Sequence, residues 1–77
     1  MKNYSEREVM RLARRVAMKN CRQWKGYTQF SLAEMVGCKE REITLIETGR
    51  SNPPYGMACR IAEILEEPRE KLFPELN

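Results

Sequence analysis

No histidine occurs among the 77 residues, and the three cysteines, Cys21, Cys38 and Cys59, lie far apart with no CxxC pair. A zinc site needs clustered Cys or His ligands and a disulfide framework normally uses an even set, so neither is expected. The thiols read as buried or half-buried side chains. The chain also has no glycine-rich phosphate loop and no nucleophile beside a base, so it calls for no catalysis, no metal and no cofactor. What it does carry is cationic. The net charge is only +3, but residues 1–27 hold eight Lys or Arg against two Glu, a net of +6. Residues 28–50 hold three against four and residues 51–77 three against five, leaving −1 and −2. Such a basic block suits a side that faces a polyanion, with a solvated helix face as the plainer alternative. The chemistry to be positioned is binding, not bond-making.

The elements that must position those charges read as helices. At 42% hydrophobic and 32% charged residues, the chain fits one small domain over residues 1–77 with a single core. A domain of this size buries roughly 60–65% of its unfolded surface. No apolar run reaches the ~18 residues that a membrane span needs. The start, MKNYSEREVM, lacks an apolar signal core, so a cytoplasmic protein is expected. A basic helix over residues 1–26 opens with Ser5 and Glu8 as the two halves of a capping box, and Tyr4 and Val9 stand where a hydrophobic staple forms. Its apolar stripe runs through Val9, Leu12 or Ala13, Val16 or Ala17, and Cys21, with Trp24 one turn on. Arg7, Arg11, Arg14, Arg15, Lys19 and Arg22 take the remaining faces, and Gly26 ends the helix. The stripe, rich in Ala and Cys, is too thin for a membrane surface and better suited to a core.

Residues 28–48 organise the rest. Thr28 is the expected N-cap of a second helix whose apolar face is Leu32, Ala33 and Val36. Gly37 stands where a left-handed C′ residue closes it. A third helix follows with Ile43 and Ile46 on one face and Cys38 at the bend. Ala33 matters for its size, because steeply crossing helices joined by a short turn need a small side chain between their backbones. Residues 54–77 complete the chain. One helix over residues 55–65 buries Met57 or Ala58, Ile61, Ala62 and Leu65, and a last short one over 69–73 opens after Pro68.

With Gln29, Leu32, Ala33, Val36, Gly37, Ile43, Ile46, Glu47, Gly49, Arg50, Asn52, Pro53, Arg60, Ile61, Ala62, Leu72 and Phe73 in register, residues 27–73 resemble the Cro/CI-type, Xre-like helix-turn-helix regulators of bacteria and phages. The resemblance implies an all-α, compact five-helix bundle of the lambda-repressor-like DNA-binding type, with a central helix-turn-helix whose third helix enters the major groove. It puts the base-reading positions at Glu40, Arg41 and Leu45, flanked by Lys39 and Thr44. Arg41 can pair bidentately with guanine O6 and N7, Glu40 can accept from the cytosine amino group, and Leu45 can touch a thymine methyl. For Glu40 and Glu42 the alternative is plain: acids in a first turn are favoured by the helix dipole with or without DNA. Gln29 falls where a glutamine meets the DNA backbone and buttresses the reading helix, and Thr28, Lys39, Arg50, Ser51 and Asn52 join it along the backbone. Glu47 is expected to be a structural partner for an arginine.

The chain departs from the family at several points, among them a weak start to the fourth helix, with Pro54 at the usual cap and Gly56 in the first turn. Its first helix is longer, Lys39 stands at a cap normally filled by Ser or Thr, and Glu66 replaces a glycine at the end of the fourth helix. Leu72, Phe73 and Leu76 form an apolar edge that either caps the core or meets a second copy of the chain, with Trp24 as another candidate for that contact. The expected function is a sequence-specific, repressor-like regulator that binds a pseudo-palindromic double-stranded DNA operator as a homodimer. The alternative is an antitoxin or other protein-interaction module with a protein partner.

Overall fold

The computed structural model describes residues 5–74. Five helices follow one another: α1 Glu6–Trp24, α2 Gln29–Val36, α3 Glu40–Glu47, α4 Tyr55–Leu65 and α5 Arg69–Leu72, with no strand among the described residues. No described helix is long and apolar enough to cross a membrane.

The helix ends follow local chemistry. The N–H of Val9 returns to Ser5 C=O at 3.0 Å as α1 begins; Tyr4 and the side chain of Glu8, the other halves of the expected staple and capping box, lie outside the described residues. Gly26, at φ 79°, lets the Tyr27 N–H turn back to Arg22 C=O at 3.1 Å and closes α1. Thr28 caps α2: its hydroxyl oxygen accepts from the Ser31 N–H at 2.9 Å, and Ser31 Oγ accepts from the Thr28 N–H at 2.9 Å. Gly37, at φ 91°, ends α2, and both its N–H and that of Cys38 return to Ala33 C=O. α4 ends on Glu66 in the left-handed region at φ 58°, so the missing glycine is replaced in place and the conformation is kept.

Leu32 and Ala33 from α2, Ile43 and Ile46 from α3, Ala58, Ile61, Ala62 and Leu65 from α4, Met18 from α1, and Leu72 and Phe73 at the end of α5 make the core. Ala58 takes the inward place, and the half-buried Met57 and Val36 pack against the core. α2 packs on α3 and α4, and α1 packs on α3 and α5.

Two expectations are corrected here. Among the described side chains the buried face of α1 is Arg15, Met18 and Arg22; of the expected stripe Cys21 packs against the core, while Val9, Val16 and Trp24 are exposed, Trp24 to 89%. The side chains of Leu12 and Ala13 lie outside those described. The rotation has a physical reason. Two arginines can face inward because carboxylate, amide and carbonyl oxygens serve their guanidinium groups there. The positive charge of residues 1–27 is therefore partly internal. The second correction concerns the C-terminal edge. Leu72 and Phe73 are fully buried within the single chain, so they do not form a surface for a second copy. Burying each returns about 1.5–3 kcal/mol without any partner; Leu76 lies outside the described residues.

The half-buried thiols of Cys21 and Cys38 are pushed up from their ordinary values, chiefly by burial, with Glu67 and Glu42 adding to it respectively.

Candidate nucleic-acid interface

α2, the turn Gly37, Cys38 and Lys39, and α3 form a helix-turn-helix. Lys39, Glu40, Arg41 and Glu42 are all exposed on the first turn of α3, and Leu45 is half-buried one turn on. The Arg41 guanidinium is thus presented as a free fork of donors, the geometry that suits a guanine edge or a phosphate. Lys39 makes no side-chain cap. The Glu42 carboxylate supplies the other half of a capping box by accepting the Lys39 N–H at 2.8 Å. Glu42 is therefore a helix-starting residue, and the Lys39 ammonium is left outside.

What holds α3 is a chain of polar contacts from the core outward. Arg22 donates from Nε to Glu47 Oε2 at 2.6 Å and from Nη2 to Oε1 at 3.2 Å, with both side chains almost fully buried. Its Nη1 donates to Tyr27 C=O at 2.8 Å, which ties in the turn after α1. Gln29 Nε2 donates to the same Glu47 carboxylate at 3.1 Å, and Gln29 Oε1 accepts from the Thr44 hydroxyl at 2.9 Å. Glu40 C=O, at 3.2 Å, is the other acceptor for that hydroxyl. Three helices are thereby joined through one carboxylate. Paired and fully hydrogen-bonded, the ions avoid the penalty of an isolated buried charge.

The expected site residues divide accordingly. Glu40, Arg41 and Lys39 share the outward face. Thr44 turns its hydroxyl inward to Gln29, so its polar group braces the helix and is not offered to a base edge. Both ends of the Gln29 carboxamide are engaged, which is the buttressing role; its main-chain N–H lies in the first turn of α2, where a helix presents positive potential to an anion. Thr28 is exposed, with its oxygen committed to the cap. Arg50 and Asn52 are exposed and Ser51 is half-buried in the loop after α3, whose Arg50 and Ser51 N–H groups return to Leu45 C=O at 2.9 and 3.2 Å.

Sequence reasoning anticipated an arginine for Glu47 without saying which, and missed Arg15 altogether. The signal was present in the spacing of Arg15, Met18 and Arg22, at i, i+3 and i+7, which is one face of a helix. That face lost to the competing Val9–Val16 stripe because arginines are rarely buried.

The family model described as helix-turn-helix matches residues 18–72, more than two thirds of the chain. The chain belongs to that family, the Cro/CI-type, Xre-like helix-turn-helix proteins, and is in kind a DNA-binding helix-turn-helix regulator. No curated protein matches it. The match begins at residue 18, so the first three turns of α1, with Val9, Arg15 and Val16, precede the shared segment.

Proposed function

We propose that this chain is a sequence-specific, repressor-like transcriptional regulator of bacterial or phage type, which binds double-stranded DNA in the cytoplasm without chemistry. The observation that carries the reading is the exposed first turn of α3, fixed in place by the buried line Arg22, Glu47, Gln29 and Thr44. Arg41 reads a base edge, with Glu40 beside it and Leu45 offering apolar contact. Lys39, Arg50, Ser51 and Asn52, with the Thr28–Gln29 end of α2, lie along the phosphates. Selection from random duplexes followed by a salt titration tests this. Log K is expected to fall by ~0.9 per phosphate neutralised as log salt rises. On the selected site, Arg41→Ala is expected to cost roughly 1–3 kcal/mol and to relax the choice at one base pair. An unchanged base preference would show that the reading register is misplaced.

A single short helix discriminates too few base pairs to find one site among the ~10⁶ or more competitors in a genome, which favours two copies on a pseudo-palindrome. The exposed α1 face with Val9, Val16 and Trp24 suits that contact. Two such helices, antiparallel about an axis between Val16 and Ala17, bring Val9 of one level with Trp24 of the other. Sedimentation is expected to show two chains per selected duplex, and Trp24→Glu to abolish the pairing while keeping the helical signal. One chain per duplex, unaffected by Trp24→Glu, refutes the pairing. A different protein co-purifying through this face would favour the antitoxin-type alternative.

A further inference from the structure

Arg15 is completely buried, yet none of the helix-turn-helix contacts described above uses it. Its Nη1 donates to Ile46 C=O in the last turn of α3 at 3.3 Å, and its Nη2 donates to Asn52 Oδ1 at 2.8 Å. The guanidinium carbon stands 5.0 Å from the centroid of the Phe73 ring, within cation–π range. A guanidinium can only donate, so the Asn52 amide must turn its oxygen toward Arg15. That leaves the amide NH2 directed away from Arg15, on a residue that is itself exposed. The loop is pinned at its other end by the Arg50 and Ser51 N–H groups on Leu45 C=O. A cation hydrogen-bonded to the oxygen of an amide also polarises it and strengthens its N–H groups as donors.

We propose that Asn52 Nδ2 is a preoriented donor to a backbone phosphate of duplex DNA and that Arg15 is its positioning residue. The ligand class follows from the surroundings: a fixed, neutral N–H donor beside the exposed Arg50 in the loop leaving the reading helix. Polar side chains of this kind supply many phosphate contacts and set the register of a protein on the duplex. Arg15 lies on the turns of α1 that precede the matched residues 18–72. This role rests on the DNA-binding reading and sharpens it, because Arg15 ties the end of α3 and the phosphate-facing loop to one buried group.

The test is a salt titration of binding to the selected duplex, with wild type, Asn52→Asp, Asn52→Ala, Arg15→Met and the Asn52→Ala/Arg15→Met pair. The carboxylate of Asn52→Asp can accept from Arg15 in the same place, so thermal stability is expected to be kept or raised. It has no N–H to give and repels phosphate, so affinity should fall roughly ten- to hundredfold, as expected for loss of a hydrogen bond to a charged group. Asn52→Ala and Arg15→Met should each weaken binding at every salt concentration while leaving the slope of log K against log salt nearly unchanged, because a neutral donor releases no counterion. Arg15→Met should have no further effect on DNA binding once the Asn52 side chain is gone. Where Arg15→Met does not fold, Arg15→Lys keeps the buried charge and enters the same cycle. Wild-type affinity in Asn52→Asp, or an Arg15 effect of equal size with and without the Asn52 side chain, overturns the proposal. Wild-type protein without salt-dependent duplex binding overturns the DNA reading itself, and this inference with it, before any variant is compared.

Discussion

Glu47→Ala is expected to destabilise the fold by about 3–5 kcal/mol, the range for removing one partner of a buried ion pair. The variant leaves the Arg22 guanidinium buried with only Tyr27 C=O to serve it, and takes from Gln29 the acceptor that orients it toward Thr44. A small domain has about 5–15 kcal/mol in all, so this one change removes a large share. Urea unfolding monitored by helical signal measures it. The double variant Arg22→Met/Glu47→Leu supplies the comparison. Replacing both charges by apolar groups of similar volume is often neutral or better for stability, so it should recover most of the loss. It should not recover DNA affinity in full, because Gln29 and Thr44 remain without their anchor. Equal stability of Glu47→Ala and wild type would show that the pair contributes nothing to the fold.

The second large effect is expected at Phe73. Phe73→Ala should cost about 3–5 kcal/mol through lost burial and the cavity left behind. The Arg15 guanidinium also loses the ring face beneath it, a contact worth up to about 2 kcal/mol when desolvated. For a domain of this size each kcal/mol lowers Tm by about 4–8 °C, so a thermal scan resolves the change easily. The loss should not depend on protein concentration, because the ring is buried inside one chain. A concentration-dependent loss would place Phe73 at an interface between copies and contradict its burial. Phe73→Leu separates the terms, since it keeps most of the hydrocarbon and removes only the aromatic face.

The backbone architecture was legible because its punctuation is local. Thr28, Gly26 and Gly37 act within one turn of themselves, and the apolar spacing of Leu32, Ala33, Ile43 and Ile46 needs no knowledge of distant residues. Helix boundaries therefore came out close to expectation. α1 was read in the wrong rotation because two of its faces compete. Val9 and Val16 look like core by residue type, while Arg15 and Arg22 look like surface. Only the oxygens of Ile46, Glu47 and Asn52, 25 to 37 residues downstream, make the basic face the buried one. The C-terminal edge stayed open between core and second copy for the same reason: nothing near Phe73 in sequence reveals that a cation from α1 will sit over its ring. At the candidate interface, the positions Lys39, Glu40 and Arg41 came from the family resemblance, and all three are exposed. The inward use of Thr44 was not legible, because a threonine hydroxyl carries no sign of which way it will point.

The two sides of α3 are chemically independent. Its start is capped by Glu42, its inner face is anchored by Ile43, Ile46 and Glu47, and its brace passes through Thr44. Lys39, Glu40 and Arg41 take no part in any of these through their side chains, and exposed substitutions of that kind usually change stability by less than about 0.5 kcal/mol. Under the proposed DNA-reading role, that turn is an exchangeable cassette. Lineages carrying this scaffold could diverge in the DNA they prefer, or an engineer could retarget the domain, by rewriting three adjacent codons while the chain folds as before.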